Sequence, residues 1–474
     1  MTRRAFSILT ISSLLLSLTG CGVSSAVPEP LKGQPPTALE IPRSTASEVP
    51  VGYAVAATQG SVFETTIAIS PANPQIAVAA GMRFKINARE RTKFVQTFWS
   101  DDGGLTWDYS DRMSLTTSKA TYEFQGDPVV AFDSAGVAYA VTLVSAGPMG
   151  NSTRSGICVW RSTDGGRTWS EPMPIVERQG EKFDDKEWIG IDTTGGPRDG
   201  TMYVAWLRAD STRGGNIEFI FVRSTDGGRS WSDERVIGHG GGPQFAIGPD
   251  GEVHITYAEG LTMLSRTSWD GGETFTEPVT IERLAGPPGN LPGTEFMLYP
   301  FASSAADRST GPGRGNVYTV WAASANAYPG YGNQLPGTIW FSRSIDAGRS
   351  WSAPVRLSDP STGNDAMFPS LASDPATGDL VVAWLDRSHD PQNRLARVHA
   401  TRSTDGGATF STPIAFTSAL DLSGNTFVGH YNGTAAEQGV VLTAFSDAAG
   451  RMGVARLSWK DEPDGPRRRA VRRP

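Results

Sequence analysis

One octapeptide, Ser-x-Asp-x-Gly-x-Thr/Ser-Trp/Phe, occurs six times along this 474-residue chain. The copies are SDDGGLTW (100–107), STDGGRTW (162–169), STDGGRSW (224–231), SWDGGETF (268–275), SIDAGRSW (344–351) and STDGGATF (403–410), at spacings of 44 to 76 residues. A recurring period of this length is the mark of a repeat architecture, in which each unit buries its apolar face only against its neighbours. The residue types describe a tight turn. An Asp carboxylate can accept backbone N–H groups as in an Asx-turn, glycines supply positive φ, and the terminal aromatic can cover apolar strand surface. The aspartates 102, 164, 226, 270, 346 and 405 therefore read as structural staples between two strands.

The segments between octapeptides repeat as well. Ahead of each come two strands joined by a tight turn, and the strands leaving those turns match: QIAVAAG, VAYAVTLV, TMYVAWLR, EVHITYA, NVYTVWA, DLVVAWLD and VVLTAFSD. That is seven hairpins for six octapeptides. The expected fold is all-β, a β-propeller of four-stranded blades with the octapeptide at the turn between strands C and D. Seven blades are favoured. The last is boxless (A about 427–433, B 440–446, C 452–458), and Val51–Thr58 supplies its missing outer strand, closing the ring and removing a free edge. Six blades, with the C-terminal strands completing the first, is the alternative. No long segment carries the 3.6-residue period of an amphipathic helix.

The ends have a different character. Residues 1–20 read as a signal peptide: Arg3 and Arg4 precede an apolar run, Phe6 to Leu18, that is too short for a membrane span. Arg3-Arg4 fits a twin-arginine signal and a plain basic start equally well. Leu18-Thr19-Gly20-Cys21 resembles a bacterial lipobox. That resemblance implies lipidation of Cys21 and an exported protein held to the cell membrane or envelope through it; an ordinary signal peptide with a chance cysteine is the alternative. Residues 21–50, rich in Pro, Ser, Ala and Glu, read as a tether, and 461–474 as a basic tail. The formal charge is −7, and removing the seven arginines at the two termini (Arg3, Arg4 and five in RRRAVRRP) gives −7 − 7 = −14 for the rest. So acidic a body argues against a nucleic-acid partner. The second cysteine, Cys158 in ICVW, reads as a small core hydrophobe. No cofactor is expected, and a monomer is.

Taken together, the octapeptides resemble the Asp-box (BNR-repeat) turns of the sialidase-like superfamily, over roughly residues 55–460. The resemblance implies a propeller and an exo-α-sialidase-type glycoside hydrolase acting on glycans. It also admits other glycosidases and non-catalytic glycan- or protein-binding propellers. Sialidases carry an arginine triad whose first member lies in a Phe/Tyr-Arg-Ile-Pro motif, and no such motif occurs here; Met82-Arg83-Phe84 and Ile41-Pro42-Arg43 are the nearest strings.

Strand alternation puts the starts of the A strands and the B–C loops on the face opposite the octapeptides. Five of seven A-strand starts offer a carboxylate: Glu64, Asp127, Asp185 or Glu187, Glu295 and Asp365. Clustered carboxylates repel, which raises some of their pKa values and suits one for acid work. A cation site or a solvated channel lining are the other readings. Glu64, Asp127, Asp185, Glu295 and Tyr431 are the catalytic candidates. Arg208, Arg387, Lys186 and His430 are the candidates for substrate binding, with Arg208 and Arg387 expected over one mouth from matching AWL segments. Pairing of these arginines with Asp210 or Asp386 is the structural alternative. Arg83, Lys85, His389, Tyr328 and Tyr331 also fall on B–C loops.

Overall fold

A computed structural model describes residues 39–40, 43–44, 51–56, 62–86, 91–147, 154–180, 182–210, 216–284, 289–290, 297–324, 336–359, 361–422, 428–446 and 450–458. These form strands and connecting turns, with no helix among the described residues. The architecture is a seven-bladed β-propeller. The first blade, for example, is Val62–Ile69, Ala77–Ile86, Arg91–Ser100 and Asp108–Tyr109, paired antiparallel in that order from the axis outward. The inner strands of the next six are Phe124–Phe132, Lys182–Ile191, Gly241–Ile247, Ser303–Ala306, Ala366–Ser373 and Gly433–Glu437. Each inner strand packs on the next, and the seventh packs on the first.

Closure follows the seven-blade expectation. Val51–Ala56 pairs antiparallel with Met452–Ser458 as the outer strand of the seventh blade. On the way there, the segment read as a tether touches two other blades. Leu39–Glu40 runs parallel to Val355–Arg356, and Arg43–Ser44 runs parallel to Phe410–Ser411. Cys21, the signal segment and the basic tail lie outside the described residues.

The core lies between the blades, which is why nearly every strand is apolar on both faces. One cluster joins Val78, Ala80 and Val95 of the first blade to Val130, Ala140, Cys158 and Trp160 of the second. Another joins Val129, Val141 and Val159 of the second to Ile189, Val204 and Trp206 of the third. Cys158 is fully buried, as a small hydrophobe would be.

The octapeptide turns repeat one hydrogen-bond pattern six times. The Ser hydroxyl donates to the Asp Oδ1 at 2.7–2.8 Å. The same Oδ1 accepts the N–H four residues on, at 2.9 Å, from Thr106, Thr168, Ser230, Thr274, Ser350 and Thr409. The second glycine presses on the preceding blade: at Gly166, whose φ is +88°, a Cβ would sit 2.5 Å from Val78. The aromatic residue also reaches the preceding blade. Trp169 Nε1 donates to Thr97 Oγ1 at 3.1 Å, and Trp351 Nε1 to Ser265 Oγ at 2.9 Å. The turn thus fastens blade to blade as well as strand to strand.

Candidate active site

The inner strands carry a shared irregularity on the face opposite the octapeptides. In five blades the pairing of strands A and B skips one residue: between Phe63 and Thr66, Gly126 and Val129, Asp185 and Trp188, Gly241 and Gln244, and Met367 and Ser370. Each is a β-bulge, and its first residue has positive φ: Glu64 (+53°), Asp127 (+49°), Lys186 (+53°), Gly242 (+66°) and Phe368 (+51°). A left-handed conformation costs a non-glycine residue on the order of 1 kcal/mol. Four of the seven such residues among those described sit at this single repeated position. At Glu64, Asp127 and Lys186 the bulges bring three side chains together across three blades.

Around the axis these side chains meet. Lys186 Nζ donates to Glu64 Oε1 at 2.7 Å and to Asp127 Oδ2 at 2.5 Å, joining the first three blades. His430 of the seventh blade places Nδ1 3.0 Å from the same Glu64 oxygen. Asp185 Oδ1 accepts the Lys186 N–H at 3.0 Å. Glu187, the other half of the third-blade bulge, is 1% exposed, and neither carboxylate oxygen has a hydrogen-bond partner.

Burial and neighbours set the charges. Burial would raise the Glu64 carboxyl, but Lys186 and the His430 hydrogen bond hold it well below the usual carboxylate range. Burial and the repulsion of Glu64 push Asp127 well above that range. Glu187 is raised by burial and by Asp127. Burial would lower Lys186, yet Asp127 and Glu64 raise it well above its ordinary value. His430 is lowered by burial and by Lys186, so it is neutral at pH 7. Donating from Nδ1 to an ionised Glu64 makes Nε2 its basic nitrogen.

Beside this network, and sharing His430 and Tyr431 with it, lies a small pocket with aromatic walls. Trp188, Tyr299, Phe301, Phe368, His430 and Tyr431 line it, and Gln244, Ser303 and Asn432 add amides and a hydroxyl. Trp188 meets Tyr431 edge-on at 5.4 Å, and Tyr299 stacks on Phe301 at 5.3 Å while meeting His430 edge-on at 5.3 Å. Tyr431 OH donates to the Pro128 carbonyl at 3.1 Å, and burial together with the nearby carboxylates raises its pKa well above 10. Its ring forms part of the pocket wall.

Six of the candidate residues are thus gathered at one place: Glu64, Asp127, Asp185, Lys186, His430 and Tyr431. The register differs from the sequence reading in two blades. Lys186, rather than Asp185 or Glu187, stands level with Glu64 and Asp127, and Phe368, not Asp365, does so in the sixth blade. Asp365 instead pairs with Arg387 at 3.5 Å and accepts from Asn393 Nδ2 at 2.7 Å. Arg387 is 0% exposed. Arg208 is held by Asp184 at 2.7 Å and Glu234 at 2.6 Å, beside Arg178. Neither arginine lines the pocket, and their partners are not the expected Asp210 and Asp386. Glu295, Tyr328 and Tyr331 lie outside the described residues, as does the Lys85 side chain. Reasoning from sequence passed over Tyr299, Phe301 and Phe368; the string Tyr-Pro-Phe at 299–301 was the available signal.

No protein-family model matches the chain. Over 218 residues it is 27% identical to a xyloglucanase from Paenibacillus sp., a match covering 42% of this chain and 18% of that enzyme. The chain therefore spans less than a fifth of that relative's length. Among solved structures it is similar to a leech intramolecular trans-sialidase at 12% identity, with 71% of this chain and 66% of that one covered and a TM-score of 0.46. It is similar to an α-L-arabinofuranosidase of Fusarium graminearum at 10% identity, with 86% and 97% covered and a TM-score of 0.47. A third is the NanB sialidase of Streptococcus pneumoniae, at 11% identity, 84% and 68% covered, TM-score 0.41.

Proposed function

We propose that the protein is a glycan-active propeller of glycoside hydrolase type, working at the axial pocket opposite the octapeptide turns. One observation carries this. Two buried carboxylates that share one lysine, Glu64 and Asp127, have their pKa values driven in opposite directions, and His430, which bonds Glu64, lines an aromatic pocket. Pairs of acids whose environments drive their pKa values apart divide acid and base work between them. Asp127, its pKa raised, takes the part of proton donor to a leaving glycosidic oxygen. The Glu64–His430 pair, neutral imidazole on an ionised carboxylate, is the base that activates water. Trp188, Tyr299 and Tyr431 hold the apolar face of a sugar ring, and Gln244 and Asn432 offer hydrogen bonds to its hydroxyls.

An exo-α-sialidase would need cations to grip the substrate carboxylate, and Arg208 and Arg387 are engaged elsewhere. The proposal is therefore made at the level of glycoside hydrolysis. The test is chromatography of sugars released from a panel of plant, microbial and animal oligosaccharides at pH 4–8. Release by the folded protein, abolished in Asp127→Asn, is the expected result; no release from any member at high protein concentration overturns catalysis.

A second reading, glycan binding without hydrolysis, is favoured by the small exposure of Glu64 and Asp127, 1% and 3%. It predicts saturable binding with no release. Either function is proposed to operate on an exported monomer anchored through Cys21. Mass spectrometry of the membrane fraction and its loss in Cys21→Ser test the anchor; gel filtration tests the monomer.

A further inference from the structure

We infer that the axial pocket is specific for an uncharged sugar residue and excludes uronic and sialic acids. This rests on the glycan reading above and goes beyond it to the class of sugar. The pocket wall itself is aromatic and amide, with no lysine or arginine among its lining residues. Lys186, whose Nζ stands 5.8 Å from the Tyr431 ring, spends two of its three donors on Glu64 and Asp127. Its charge is matched by Glu64.

The two arginines best placed by sequence are locked in ion pairs within their own blades. Arg208 would have to leave Asp184 and Glu234, and Arg387 would have to leave Asp365. Removing one partner from a buried pair costs several kcal/mol, because the other charge is left unpaired. Behind the wall, Lys186 is shared between Glu64 and Asp127, with Asp185 and Glu187 close by. A ligand carboxylate entering the pocket meets no lysine or arginine among the described lining residues, and it approaches Glu64, which lies 3.0 Å behind His430 Nδ1. It would also deprive Asp127 of its one cation or compete with Glu64 for it. A neutral sugar needs none of this: its C–H face lies on the rings and its hydroxyls meet Gln244, Ser303 and Asn432.

The experiment is saturation-transfer NMR titration of the full chain with matched pairs: glucose and glucuronate, galactose and galacturonate, mannose and mannuronate, with N-acetylneuraminate added. Each is repeated at 20 mM and 500 mM salt and with Trp188→Ala. The expected result is binding of at least one neutral sugar with at least 10-fold lower Kd than its acid, lost in Trp188→Ala, and a gap that narrows at high salt as the field is screened. An acid binding as tightly as its neutral partner, or a gap indifferent to salt, overturns the inference and leaves the glycan reading standing. Saturable binding by none of the seven sugars overturns the glycan reading, and the inference with it.

Discussion

At the scale of single residues, the axial network makes unequal demands on its two carboxylates. Glu64 accepts from both Lys186 and His430 and its pKa is held low, whereas Asp127 accepts from Lys186 and its pKa is raised. An amide mimics a protonated acid and fails to mimic a carboxylate. Glu64→Gln should therefore cost roughly 3 kcal/mol of stability, by removing the carboxylate to which both Lys186 and His430 are bonded. Asp127→Asn should cost no more than about 1 kcal/mol. Denaturant titration of the two variants reads the difference, and equal losses would contradict the assignment of charge. His254 gives a pH test away from the site. Burial, with Arg349 nearby, lowers its pKa to about 4 from the usual 6.5, and Nδ1 bonds Thr267 Oγ1 at 3.0 Å. The folded value lies below the unfolded one, so the unfolded chain takes up the proton first. The contribution is whole above pH 6.5 and is lost as pH falls toward 4, on the order of 3 kcal/mol. His254→Gln should flatten that part of the stability–pH curve.

At the scale of elements, the octapeptide turn is the unit whose energetics can be measured repeatedly. In the turn at 403–410, Asp405 accepts the N–H of Ala408 and Thr409 at 3.0 and 2.9 Å and the Thr409 hydroxyl at 2.6 Å. Asp405→Ala should lower stability by about 1–2 kcal/mol, seen as a lower denaturant midpoint with sugar binding retained. These turns were legible in sequence because their geometry is local: glycines, an Asx acceptor and an aromatic at fixed offsets. The bulges were not. Nothing in the string Phe63-Glu64-Thr65 announces that Glu64 adopts positive φ, and the extra residue shifts the register by one. The strand starts, aligned by sequence alone, put Asp185 and Asp365 level with Glu64 and Asp127, one and three residues before Lys186 and Phe368, which hold that position. The arginines misled for a related reason. Arg208 was given Asp210, its neighbour along the strand, but the pairing of strands A and B sets it opposite Asp184.

At the scale of the whole molecule, the ring depends on its ends. The strand Val51–Ala56 completes the seventh blade next to the first, and the pairings at 39–40 and 43–44 lead the chain around blades five and six to reach it. The hairpin count made this closure legible, since seven hairpins and six octapeptides leave one blade short of an outer strand. Deleting everything before Ala57 should expose Met452–Ser458 as a bare edge, lower the melting temperature and shift the protein toward oligomers on gel filtration. A monomer of unchanged stability would contradict the closure.

The whole-molecule view also separates two faces, the octapeptide turns on one and the bulged strand starts on the other. The most direct test of the account compares saccharide binding and release by the intact protein with two single-site variants. Trp188→Ala alters the axial pocket, and Trp269→Ala alters an exposed octapeptide position on the opposite face. The account predicts that Trp188→Ala abolishes both and that Trp269→Ala leaves both unchanged. Activity that survives Trp188→Ala and disappears with Trp269→Ala would place the function on the wrong face and contradict it.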